Sequence, residues 1–143
     1  SFTDEASLKV GQGPPQDLCS LLWALAVLRH KQPELMSTLQ RELVVKRREL
    51  DAQSLSNLMW AYAVFREKRK VVLDAFGKES LKRLRTFAAQ DLSNLAWACA
   101  TLGINDVQLF HGIVQHADVT GCNHFKSQEA SNMAWAMVKL EHL

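Results

Sequence analysis

The chain has 143 residues, 48% of them hydrophobic, and its 17 Lys and Arg against 15 Asp and Glu leave a formal charge of +2. That length holds one domain with a continuous apolar core and leaves little room for a second, and so small a net charge does not by itself mark a nucleic-acid binder. The longest apolar run, around Leu18 to Leu28, is about half of what a bilayer-spanning helix needs, so no membrane span is expected. Alternating strand patterns are absent, helix-favouring Leu, Ala, Met, Gln, Lys and Arg are plentiful, and only three prolines interrupt the chain, so the class is all-α. Cys19, Cys99 and Cys122 form no CxxC pair and suit neither a disulfide framework nor a zinc ribbon, which fits a reducing compartment.

Residues 1–15 are polar and carry Gly11, Gly13, Pro14 and Pro15, which reads as an N-terminal extension with a processed or trimmed start. From residue 16 onward the tryptophans set the frame. Trp23, Trp60, Trp97 and Trp135 are separated by 37, 37 and 38 residues, a period that belongs to stacked repeats. In that register the chain reads QDLCSLLWALAVL from Gln16, QSLSNLMWAYAVF from Gln53, QDLSNLAWACATL from Gln90 and QEASNMAWAMVKL from Gln128. Each segment is an amphipathic helix, here called helix A, whose apolar stripe is expected to include the Trp itself as a core residue of the repeat. Alanines one and three places after the Trp (Ala24 and Ala26, Ala61 and Ala63, Ala98 and Ala100, with Ala136 and then Val138 in the last copy) let a neighbouring helix approach closely.

Between the A segments runs a second helical period, helix B: Leu35, Leu39 and Leu43, then Val72, Phe76 and Leu84, then Phe110, Ile113, Val114 and Ala117. Turns at His30 to Pro33, Glu67 to Arg69 and Gly103 to Asn105 join A to B. Leu50, Phe87 and Phe125, ten residues before the last three tryptophans, are hydrophobic plugs for the turn from B back to A, and Gly13 stands in that place in the first repeat. The extra residue of the third repeat is assigned to a loop from Asp118 to His124. The expected architecture is an all-α solenoid of stacked antiparallel hairpins over residues 16–143, with about three and a half repeats starting near 16, 53, 90 and 128. The last A helix has no B helix after it, which reads as either a cap or a missing continuation.

The segments QDLSNLAWACATLG from Gln90 to Gly103 and QSLSNLMWAYAVF from Gln53 to Phe65 resemble octotricopeptide repeats. They are also similar to the helical repeats that precede RAP domains in organellar proteins of algae, protists and apicomplexans. The resemblance covers about Gln16 to Leu143. It implies a chloroplast or mitochondrial protein that binds single-stranded or ribosomal RNA, without a cofactor. The chain departs from that family in its few repeats, in lacking a RAP-like segment, and in a last repeat where Ala130 replaces the usual Leu and Glu141 ends the A helix.

Charge is unevenly distributed. From Arg29 to Arg85 there are 14 Lys and Arg against 7 Asp and Glu, a balance of +7, and the remainder balances at −5. The cations recur in register: Lys46, Arg47 and Arg48 close the first B helix, Lys82, Arg83 and Arg85 the second, and Arg29 and Lys31 match Arg66 and Lys68. Stacked hairpins would align these as a stripe fit for phosphate contact, or the cations simply complement helix C-termini and keep the surface soluble. Lys46, Arg47, Arg48, Arg83 and Arg85 are expected to be exposed. The stripe stops at Gly121, Cys122 and Asn123, and the acidic half suits a protein neighbour in a larger assembly. Tyr62 is a candidate base-stacking residue, against a more ordinary role as a packing aromatic. The recurring Gln and Ser/Asn positions vary too little to form a base code and read as structural, with Gln near a helix start and Asn bonding to an adjacent turn. His111, His116, Cys122 and His124 have metal-binding chemistry, but five residues along a helix turns the second His away from the first, so no metal site is assigned. No phosphate loop, nucleophile elbow, HExxH or paired-carboxylate motif points to an enzyme.

Overall fold

Local sequence rules set where the helices begin and end. The computed structural model describes residues 13–120 and 125–141, with residues 118–120 as backbone only. Among these residues the chain forms α1 (Pro15–Val27), α2 (Pro33–Val45), α3 (Ala52–Phe65), α4 (Lys70–Lys82), α5 (Ala89–Leu102), α6 (Val107–Thr120) and α7 (Ser127–Glu141), with 3-10 turns at Arg47–Glu49 and Leu84–Thr86 and no strand. Proline opens α1 and α2 at a position where its missing N–H costs nothing. Four other starts are capped by carboxylates. Asp51 accepts from the Ser54 N–H at 2.8 Å, Asp91 from Ala88 at 2.9 Å, Asp106 from Leu109 at 3.1 Å and Glu129 from Lys126 at 2.9 Å.

The first three A helices close with one turn geometry. Arg29, Arg66 and Gly103 lie in the left-handed region at φ 52°, 54° and 67°, and the N–H after each reaches back to Leu25, Tyr62 or Cys99 at 2.9 to 3.0 Å. This is the Schellman pattern, which satisfies carbonyls the helix end leaves open.

The A helices α1, α3, α5 and α7 pack side by side in chain order, each hairpin adds its B helix behind them, and α2, α4 and α6 adjoin one another in a second layer. The A layer is the closer-packed. Its seams contain Ala61, Ala98 and Ala136, none of which is exposed to solvent, and a methyl group is small enough to let helix backbones approach. The core lies between the layers: Leu18, Leu55 and Leu92, then Leu58, Leu95 and Met133 from the A helices, against Leu39, Leu43, Phe76 and Ile113 from the B side. Leu50 and Phe87 are buried in the turns and Phe125 half-buried, as plugs should be.

Three expectations are corrected. The tryptophans are not the repeat core: Trp23 is 42% and Trp135 45% exposed, and Trp60 and Trp97 are half-buried against the core edge. With alanine in the seam no indole fits between adjacent A helices, so each ring moves to the outer edge. There Trp23 leans on Trp60 and Trp60 on Trp97, with ring centroids 6.5 and 6.4 Å apart and planes tilted 37° and 34°. Second, Pro15 already belongs to α1, inside the stretch assigned to the extension, and residues 1–12 of that stretch lie outside the described residues. Third, Asp118 to Thr120 continue α6 instead of forming a loop, and Gly121 to His124 lie outside the described residues.

If alanine sets the seam, Ala98→Leu should lower unfolding free energy by about 1–3 kcal/mol through overpacking. A urea titration followed by far-ultraviolet circular dichroism measures this. Trp23→Ala, at the open end of the ladder, should cost less than Ala98→Leu.

Candidate nucleic-acid interface

Antiparallel hairpins send successive turns to opposite ends of the stack. Arg29, Lys31, Arg66 and Lys68 lie in or beside the turns from A to B. Lys46, Arg47, Arg48, Lys82, Arg83 and Arg85 lie in or beside the 3-10 turns that lead back from B to A. Helices of 13 or 14 residues separate the two sets by about 20 Å at 1.5 Å per residue. The cations therefore form two rows at opposite edges, and the single stripe expected from the sequence is corrected.

Within the rows, several cations are already engaged. Lys31 pairs with Glu67, and Lys46 lies 3.8 Å from Glu42. The Arg47 guanidinium donates to the Val44 carbonyl at 2.7 Å. Arg83 donates to the Leu50 carbonyl of the preceding repeat and sits 3.5 Å from the buried carboxylate of Glu79. Lys46, Arg47 and Arg83 are only partly exposed, which corrects the expectation that these three are exposed, whereas Arg48 and Arg85 are exposed. Among the described residues, Arg29, Arg48, Arg66, Lys68, Lys82 and Arg85 are exposed and have no carboxylate within ion-pair distance.

Between the two rows runs the outer face of the A helices. Spacings of four, three and four residues place Gln53, Asn57, Trp60 and Val64 on one face of α3, and Gln90, Asn94, Trp97 and Thr101 on the same face of α5. All eight are exposed or half-buried. Gln16 and Ser20 precede Trp23 in the same way, and Gln128 and Asn132 precede Trp135. Across the stack this gives a row of glutamines, a row of Ser or Asn, and the indole ladder. The bonds of these amides differ from copy to copy. Gln16 donates to the Glu49 carbonyl at 3.0 Å and thus ties α1 to the next turn, and Gln128 donates to Asn132 at 3.1 Å. Among the described residues Asn57 and Asn94 have no hydrogen-bond partner, so the expected bond from Asn to an adjacent turn is not made there. The recurrence of Gln, Asn and Trp in register is the sequence signal for this face, and assigning the Trp to the core obscures it.

Tyr62 is not on that face, and its candidacy for base stacking is corrected. Only 1% of it is exposed, its hydroxyl donates to Gln40 Oε1 at 3.0 Å, and its ring lies tilted against Phe76. Burial pushes its phenol well above the usual range. The thiols of Cys19 and Cys99 are likewise pushed up to about 12, chiefly by burial, and packed thiols of that kind are inert. Cys122 and His124 lie outside the described residues. Of the other two members of that group, His111 is exposed, and His116 places Nδ1 2.9 Å from the Gly112 carbonyl. Among the described residues no helix is long and apolar enough to cross a membrane.

No family model matches the chain, and no curated protein matches it.

Two measurements follow from the packing of these groups. Arg83→Gln should destabilise the fold by about 1–3 kcal/mol, since it strands the Leu50 carbonyl and the Glu79 carboxylate, whereas Arg85→Gln should leave the urea midpoint unchanged. Cys19 and Cys99 should resist alkylation at pH 8 in the folded chain and react fully in denaturant, read by intact mass. The same groups weaken the fold at high pH. Burial raises their folded pKa to about 12, above the ordinary thiol value of 9.0, so their contribution is complete below about pH 9 and is lost as pH rises toward 12.

Proposed function

We propose that this chain is an RNA-binding helical-repeat protein working in organellar RNA metabolism or on an organellar ribosome. The observation that carries the reading is the A-helix face, where amides and an indole ladder lie between two edges bearing cations with no acidic partner. A single strand laid across the A helices would meet Lys and Arg with its phosphates at either edge, and Asn amides and indole rims with its bases between them. Because each row repeats the same residue type, such contact would be tolerant of sequence and would depend strongly on salt. The organellar setting rests on the resemblance of the repeat segments alone.

A second reading, a structural adaptor held among proteins of a larger organellar assembly, is favoured by the division of charge. Outside residues 29–85 the chain balances at −5, which would repel phosphate and suits a basic protein neighbour. A place on a ribosome would use both halves.

The test is fluorescence anisotropy with a mixed single-stranded RNA pool, titrated over salt, with duplex DNA as control. Binding should fall linearly in log–log form as salt rises. The triple variant Arg48→Gln, Lys82→Gln, Arg85→Gln removes only cations without acidic partners and should flatten that slope by about 2, at roughly 0.7 per phosphate contact on a single strand. Absence of binding at low salt would refute the RNA reading and leave the adaptor.

A further inference from the structure

Exposed cations without an acidic partner stand at both edges of the A face, and the two rows end at the same repeat. At one edge Arg29 follows α1, and Arg66 and Lys68 follow α3; at the other Arg48 precedes α3, and Lys82 and Arg85 precede α5. α3 thus has them at both ends. From Thr86 to Phe125 the sequence has no Lys or Arg, so neither row runs on past the second repeat.

The rows stand about 20 Å apart, the length of a helix of 13 or 14 residues, and that separation limits what can fill them. A single backbone running along the stack carries one line of phosphates and follows one edge. A backbone that crosses the face meets each edge once and leaves the other cations of each row unmatched. Two backbones held side by side, as in a base-paired stem, meet both rows together. The groove between those backbones must then suit the A face, whose helices lie side by side and whose outermost groups are short amides and indole rims. Groups of that reach do not fill the major groove of a DNA duplex, about 8.5 Å deep, or the deep, narrow major groove of RNA. They suit a wide, shallow groove, and the minor groove of A-form RNA is of that kind.

The residues between the rows agree. Gln53, Asn57, Gln90 and Asn94 lie on this face with no hydrogen-bond partner among the described residues. The same two amides recur from α3 to α5, so they cannot tell one base sequence from another. A repeated reader suits a repeated feature. In the minor groove of an RNA stem that feature is the ribose 2′-hydroxyl, which every nucleotide carries and which both donates and accepts, as an amide does. We infer that the A face around α3 binds the minor groove of a base-paired RNA stem, its two backbones on the two cation rows and its 2′-hydroxyls on the amides of α3 and α5. This rests on the reading of the A face as an RNA surface and specifies the form of RNA that the surface takes.

The probe is a fluorescein-labelled RNA duplex of about 16 base pairs, which shows two successive minor grooves. Its anisotropy with the full chain is compared with that of an oligouridine strand of equal length and of a DNA duplex of the same sequence. The RNA duplex should bind about tenfold more tightly than either, or better. Arg29→Gln with Arg66→Gln, and separately Arg48→Gln with Arg85→Gln, should each flatten the salt slope by about 2, at roughly 0.9 per phosphate contact on a duplex, because each pair serves a different backbone. Asn57→Ala with Asn94→Ala should weaken the RNA duplex about fivefold or more and narrow its advantage over DNA. Oligouridine or duplex DNA bound as tightly as duplex RNA, or a slope that only one edge alters, overturns this inference and leaves the RNA reading standing. Failure of every RNA to bind at low salt overturns both.

Discussion

Alanine in the seam between consecutive A helices is the constraint from which the other features descend. With Ala61, Ala98 and Ala136 wholly buried, the A helices come close together, and their large buried side chains, among them Leu55, Leu58, Met59, Tyr62, Leu92 and Leu95, fill the core. The indoles have nowhere to go but outward. Their mutual contact, tilted and about 6.5 Å apart, adds to the same seam, because aromatic pairs at such distances attract beyond the area they bury. A structural device thereby becomes a surface: the rings that fasten the repeats together are also what the A face displays.

The hairpin geometry divides the electrostatics in the same economical way. Turns alternate between edges, so cations in the two kinds of turn cannot meet, and the A face is bounded on both sides. Some of these cations serve the fold. Arg83 links the second hairpin to the first through the Leu50 carbonyl, and Gln16 makes a comparable link through Glu49. Others are left to solvent, and only those are available for phosphate.

The repeat period, the helix pairs, the turn plugs and the small residues of the seam were all legible in the sequence, because each depends on spacing alone. The burial of the tryptophans was not. Hydrophobic periodicity marks a stripe about half a helix wide, and the Trp sits at its margin; which side of the margin it takes depends on how near the neighbouring helix stands. Tyr62 failed in the opposite sense, since its partner Gln40 lies 22 residues away and no local pattern announces a buried amide. The cations were found but misplaced, as register tells which residues are equivalent and not which edge they share.

Arg29 and Arg66 adopt at their turns the same left-handed backbone that Gly103 adopts in the third. A β-carbon there costs about 1 kcal/mol that glycine does not incur, so the first two turns close with less in reserve than the third. Both arginines are exposed, so at the first two turns a surface charge is held in a conformation that glycine would adopt more cheaply. Exchanging either for glycine would ease the turn and at the same stroke strip a charge from that edge of the A face.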